Sequence, residues 1–138
     1  MNRNYIRTIT LYNRIQAVNS EDKKEHWKKT VLHNCSWKSV VTTGISGTQA
    51  SVQNTYTVRI PQDSRYLPYS EYAKSPDGYF SVSQGDIVIL GECPEEITGL
   101  SGQTAAHVLN RYKLEAFKIT AFSDNTGFPV AKHYRLGG

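Results

Sequence analysis

Residues 117–138 read FKITAFSDNTGFPVAKHYRLGG. The pattern is strand, loop, strand. Phe117 to Phe122 and Lys132 to Leu136 form a closing hairpin, joined across Ser123–Gly127 and Pro129 and followed by two glycines. The hairpin carries Asp124, Asn125, Lys132, His133 and Arg135. Such a polar hairpin is either a chemical site or an assembly surface, and the rest of the chain decides between them.

Working outward, the same period-two signal recurs. In TYTVRI (55–60), Tyr56, Val58 and Ile60 share one face and Thr55, Thr57 and Arg59 the other, with Pro61 ending the run. In IRTITLYN (6–13), Ile9 and Leu11 oppose Thr8, Thr10 and Tyr12. WKKTVLHN and CSWKSVVTT are two further β-leaning pieces around Trp27 and Trp37. Ile87–Leu90 is apolar on both faces, the mark of a central strand, and Gln84-Gly85-Asp86 is a turn just before it. Residues 44–54, GISGTQASVQN, offer little to fill a core and read as a long loop. Residues 61–79, with three prolines and four tyrosines, read as a structured excursion. Thr104 caps one short helix near 104–112, with Ala105, Val108, Leu109 and Tyr112 at helical spacing. The expectation is one domain over 1–138: an all-β, mainly antiparallel barrel or sandwich of about six or seven strands, with loops inserted at 44–54 and 61–79.

Composition narrows the function classes. The chain has 138 residues, a net charge of +4 and nine tyrosines, and a mean hydropathy of −0.50. That suits a globular domain with one modest core rather than a disordered chain. Tyrosine joins apolar area to a polar tip and suits half-buried strands and interfaces. The mild basic excess is compatible with facing a polyanion without requiring one. Cys35 and Cys93 are far apart and form no C-x-x-C pair, so the expectation is two buried, reduced thiols, although sequence alone leaves a bridge open. The first residues, MNRNYIRTITLYNRI, alternate rather than form an apolar leader, and no run has membrane-spanning length. A chain made and folded in the cytosol, with no membrane partner, is expected.

No catalytic, metal or cofactor constellation emerges. His26, His33, His107 and His133 are scattered without ligand spacing. SDNTG and SPDGY lack the alternating oxygens and closing Glu of a calcium loop. Ser46 in GISGT lacks the nucleophile-elbow spacing, and GLSGQT lacks the P-loop lysine. A non-catalytic chain without cofactor is expected. An enzyme would instead gather at least two of His33, His107, His133 and Asp124 in one deep pocket. A nucleic-acid module would expose Lys23, Lys24, Lys28, Lys29 and Lys38 with Trp27 and Trp37 on one face, although Glu21, Asp22 and Glu25 offset that charge.

The succession WKKTVLHNCSWKSV, NTYTVRIP, FSVSQGDIVILGE and FKITAFSDNTGFPVAKHYRLGG resembles short proteins encoded in head-to-tail gene clusters of tailed phages and prophages of Gram-positive bacteria. The layout is also similar to siphophage head-closure (stopper) proteins, with an early strand pair around tryptophan, the Gly85-Asp86 step and a last hairpin. The segments 61–79 and 104–112 depart from that layout as insertions. The resemblance implies a ring subunit, a hexamer in the virion, at the head–tail junction. It would join portal-adaptor to tail proteins around a channel for packaged DNA; a tail terminator or another neck or minor capsid protein has the same composition. On that reading Tyr66, Tyr69, Tyr72, Asp124, Asn125, His133, Tyr134 and Arg135 would serve subunit contact, and Lys23, Lys24, Lys28 and Lys29 would face DNA.

Overall fold

The computed structural model describes residues 6–19, 22–46, 49–74, 76–99, 102–112, 115–127 and 132–138. Seven strands form one curled antiparallel sheet: Arg7–Ile15 (β1), His26–Ser46 (β2), Gln49–Pro61 (β3), Ile87–Leu90 (β4), Ala116–Lys118 (β5), Ala121–Asp124 (β6) and His133–Gly137 (β7). Their spatial order is β5-β4-β1-β2-β3-β7-β6. The two end strands, β5 and β6, are consecutive in the chain, separated only by Ile119 and Thr120. At that step the backbone changes partners. Ile119 donates to the Asp86 carbonyl (2.7 Å) and accepts from Gly85 (2.9 Å), on the β4 side. Thr120 donates to Gly137 (2.8 Å), on the β7 side. One segment thus carries both ends of the sheet, which makes the fold barrel-like.

β2 makes the opposite corner. Its first part pairs with β1 up to Cys35, and from Ser36 onward it pairs with β3. Between the Ile9–Leu32 and Arg7–Cys35 pairs, β2 has one residue more than β1. Asn34, at φ +59°, sits in this bulge. A bulge with a left-handed residue bends a strand sharply, and asparagine tolerates that region better than most residues.

The sheet has an apolar cluster on each side. Inside lie Ile9, Leu11, Leu32, Val58, Ile60, Val88, Phe117, Ile119 and Leu136. Behind β1 and β4, a second cluster joins Tyr12, Ile87, Ile89, Cys93 and Ile97 to Val108 of the helix Ala105–Arg111. β4 is therefore covered on both faces, as its apolar run requires. Thr104 caps the helix by accepting from the His107 amide at 3.3 Å.

Four expectations change. Residues 44–54 are not a loop: β2 and β3 pair in unbroken register from Ser36–Arg59 to Ser46–Gln49, with residues 47 and 48 outside the described part. That stretch reads as a loop because it offers little to a core, but a ladder needs only backbone groups. The two pieces around Trp27 and Trp37 are one 21-residue strand. Phe117–Phe122 is not one hairpin strand but splits at the corner; only β6 pairs with β7. The excursion 61–79 holds a second short helix, Tyr69–Tyr72 (α1; Ala105–Arg111 is α2), capped by Pro68, whose missing N–H costs nothing at a helix start. Ala17–Asn19 adds one 3-10 turn.

The corner role of Asn34 predicts an ordered response to substitution. Asn34→Val should lower the unfolding free energy by about 1–2 kcal/mol, and Asn34→Gly should leave it nearly unchanged. Urea denaturation of both variants checks this, and equal losses would remove the bend from the account.

Candidate functional site

The most enclosed charged group is Asp86, 1% exposed, just after Gly85 (φ +96°) at the start of β4. Its Oδ1 accepts from the Arg14 amide at 3.0 Å, and its Oδ2 from Asn13 Nδ2 and the Ser83 amide, both at 2.9 Å. Asn13, also buried, donates to the Ser81 carbonyl at 2.5 Å and accepts from the Ser81 amide at 3.2 Å. Burial pushes the Asp86 carboxyl up to about 6, against the pull of these donors. The Gly-Asp step is therefore an internal pin that fastens segment 81–86 to β1.

Several residues expected at an interface help hold the fold together. Tyr72 is fully buried and Tyr134 faces the interior. Tyr66 is half-buried, its ring centroid 4.4 Å from that of Tyr134, 6.0 Å from Phe80 and 6.1 Å from Phe122. Burial raises the hydroxyls of Tyr66, Tyr72 and Tyr134 above the usual tyrosine range. The structure places the other five elsewhere. Tyr69 accepts from the Gln16 amide at 3.0 Å. Asp124 is exposed and accepts from the amide and hydroxyl of Thr126 at 2.9 and 2.6 Å, which holds its carboxyl below the usual range. The Asn125 amide donates to the His133 carbonyl at 2.9 Å, and the two side chains meet at 3.2 Å. Arg135 is exposed on the outer face of β7.

The basic stretch is split. Lys23 and Lys24 are exposed. Lys28 Nζ donates to the carbonyls of Pro76 and Tyr79 and lies 5.8 Å from the centre of the Tyr72 ring. Lys29 Nζ donates to the Cys93 carbonyl (3.2 Å) and lies 3.3 Å from Glu96. Trp27 packs on the helix-side cluster and Trp37 on the interior one, so the two rings do not form one stacking platform. The histidines sit apart, His33 against Thr8, His26 against Asp22, His107 against Thr104 and His133 against Asn125. Among the described residues no cluster of His, Cys, Asp or Glu could hold a metal, and no helix is long and apolar enough to cross a membrane. Cys35 and Cys93 are both buried and unpaired, and burial pushes the Cys35 thiol up to about 12.

Two surface features remain. An open groove of about 500 Å³ runs over the outer face of β3, β7 and β6, floored where Gly137 puts no side chain between Thr57 and Ala121. Among the described residues Arg135 is the one charged residue that lines it. The groove ends at Gly138, whose amide and carbonyl pair with Tyr56 at 3.1 and 2.9 Å. A Cβ at 138 would lie 2.6 Å from the Lys118 carbonyl and against the Phe117 ring, so only glycine fits that corner. The second feature is the outer part of the β2–β3 hairpin, 40–46 with 49–55. Val40 and Val41 are neighbours on opposite faces, yet both are exposed, at 42% and 63%. Past Cys35 and Tyr56 no third strand pairs with the hairpin among the described residues, and it runs on as a two-stranded ribbon. From Ser39 to Val58 there is no charged residue, although 20% of the chain is charged. That absence sets the stretch apart in the sequence but does not tell a ribbon from a loop.

Residues 5–138 match a family of unknown function (DUF6751), and the chain belongs to it. No curated protein and no solved structure matches.

The Asp86 pin makes a pH prediction. A carboxyl whose folded pKa stands above its unfolded value favours folding most when protonated. Its stabilising effect is thus complete below about pH 4 and is lost as pH rises through about 6. The loss should be up to about 3 kcal/mol, at 1.36 kcal/mol per pKa unit. Asp86→Asn should flatten that part of the stability curve. It should also lower stability at pH 5 by about 1–3 kcal/mol, because its amide N–H₂ would face donors. Chemical denaturation from pH 3.5 to 7.5 checks both; a wild-type curve that rises across this window would reverse the assignment.

Proposed function

We propose that the chain is a structural subunit of a tailed phage or prophage virion. In this reading it is a head-closure (stopper) ring protein that joins portal-adaptor to tail around the DNA channel. The observation that carries the proposal is the ribbon: two strands stay paired beyond the last strand that flanks them among the described residues, with no charge on them. An isolated two-stranded ribbon is marginal in water and gains by pairing with another chain. The resemblance of the four quoted segments to phage head-to-tail proteins supplies the setting. A tail terminator or another neck protein would use the same features.

Charge fits the same picture. A subunit that lines a DNA passage must let the polymer slide, so a net charge of +4 suits it better than a strong basic groove would. The rival reading, a small nucleic-acid-binding barrel, is weakened by the separation of Trp27 from Trp37 and by the carbonyl partners of Lys28 and Lys29.

In particles purified after phage induction, mass spectrometry should find this chain at a few copies per portal ring. Electron microscopy with a labelled chain should place it at the neck. Particles that lack it, or label spread over the capsid shell, would defeat the proposal. The isolated chain should bind duplex DNA weakly at physiological salt; a sub-micromolar affinity there would favour the nucleic-acid reading.

A further inference from the structure

We propose that the ribbon joins one copy of this chain to the next by strand addition, the outer edge of β3 in one copy pairing with the outer edge of β2 in its neighbour. This deepens the assembly reading above and rests on it for the identity of the partner, a second copy.

The backbone sets which groups are available. Tyr56 turns its N–H and C=O away from β2, toward Gly138. Strand alternation then turns the N–H and C=O of residues 54, 52 and 50 to the same open side. Because Ser39 is the partner of Tyr56 and the register is unbroken, Ser39, Val41, Thr43 and Ile45 face outward from β2 in the same way. Among the described residues no strand pairs with either edge beyond Gly138 and Cys35. An added strand beside β3 would continue the line of β7 past Gly138, at the end of the groove floored by Gly137.

Charge identifies the occupant. The chain is basic, so two copies repel wherever their charges meet. The stretch Ser39–Val58 is free of charge and lets like-charged copies approach. The other open edges carry the guards that proteins use against edge pairing: His26, Lys28 and Lys29 on the first part of β2, Lys118 on β5, Asp124 on β6. The ribbon has none. Its two edges belong to different strands, so a β3–β3 contact would leave both β2 edges unmet. Pairing β3 with the next copy's β2 uses every edge and repeats from copy to copy, closing as a ring or running on as a filament. With all ribbons pointing one way, the new pair is antiparallel, as β2 and β3 already are.

Thr43 and Val52 are cross-strand partners whose N–H groups both point outward, one on each edge. Thr43→Pro and Val52→Pro therefore each remove one outward donor and spare the bonds between β2 and β3. Light scattering on the full chain should show wild type as a species larger than a dimer. Each variant alone should be monomeric. An equimolar mixture should form dimers, because each variant keeps one intact edge, and dimers also prove both variants folded. Should a variant fail to fold, wild type decides alone: amide exchange over 39–46 and 49–54 slows at least tenfold on assembly. Loss of assembly in Val52→Pro only would mean β3–β3 pairing and overturn the proposal. So would wild-type assembly in both variants, a wild type that stays monomeric at every concentration, or unchanged exchange. Those outcomes leave the virion reading to its own test, since a chain can sit in the neck through other contacts.

Discussion

A sheet that curls must do something with its two ends, and here a single segment takes both. Residues 116–124 pair with β4 up to Ile119 and with β7 from Thr120. This switch brings Phe117 and Ile119 into the interior, where Phe117 stacks on Tyr56 at 5.1 Å and meets Trp37 at 5.5 Å. It also brings the Gly137–Gly138 end against β3, in a corner with no room for a Cβ. Loss of the switch would open the interior cluster along a full strand, because β4 and β7 share no other neighbour.

Closure also governs where the aromatic side chains go. A barrel-like body of this size has a small interior, and large rings fill much of it. Tyr66, Phe80, Phe122 and Tyr134 form one connected group that anchors the excursion 61–79 to the terminal hairpin. Asp86 fixes the other end of that excursion by three hydrogen bonds to one carboxylate. The tyrosines and the Gly-Asp step thus form the framework, although tyrosine abundance first suggests a contact surface.

The sequence revealed the strands that bury a face and missed what depends on backbone pairing alone. Tyr56, Val58 and Ile60 were legible because alternate residues meet the interior. Ile87–Leu90 was legible because burial on both faces leaves an unbroken apolar run. The cap at Thr104 was legible because capping chemistry is local. The ribbon was not, since a ladder needs only backbone groups and imposes no apolar period. The corner at Ile119–Thr120 was not either, because a change of partner depends on strands distant in sequence. Among the residues expected at an interface, Asp124 and Arg135 lie on the surface. Tyr72 does not: tyrosine sits equally well in a core or at an interface.

The distribution of charge along the open edges ties the body to the ribbon. In the barrel, the open edges of β2, β5 and β6 each carry a Lys, His or Asp that makes pairing with another chain costly. In the ribbon, the open edges carry only neutral residues, among them valine, threonine, serine, glutamine and asparagine. Selection for solubility alone would place charge there first, because an uncharged ribbon rich in β-branched residues is an aggregation hazard for an isolated chain. Under the strand-addition proposal the guarded edges of the body and the bare edges of the ribbon belong to one arrangement, in which pairing with a second copy is costly at the first and open at the second.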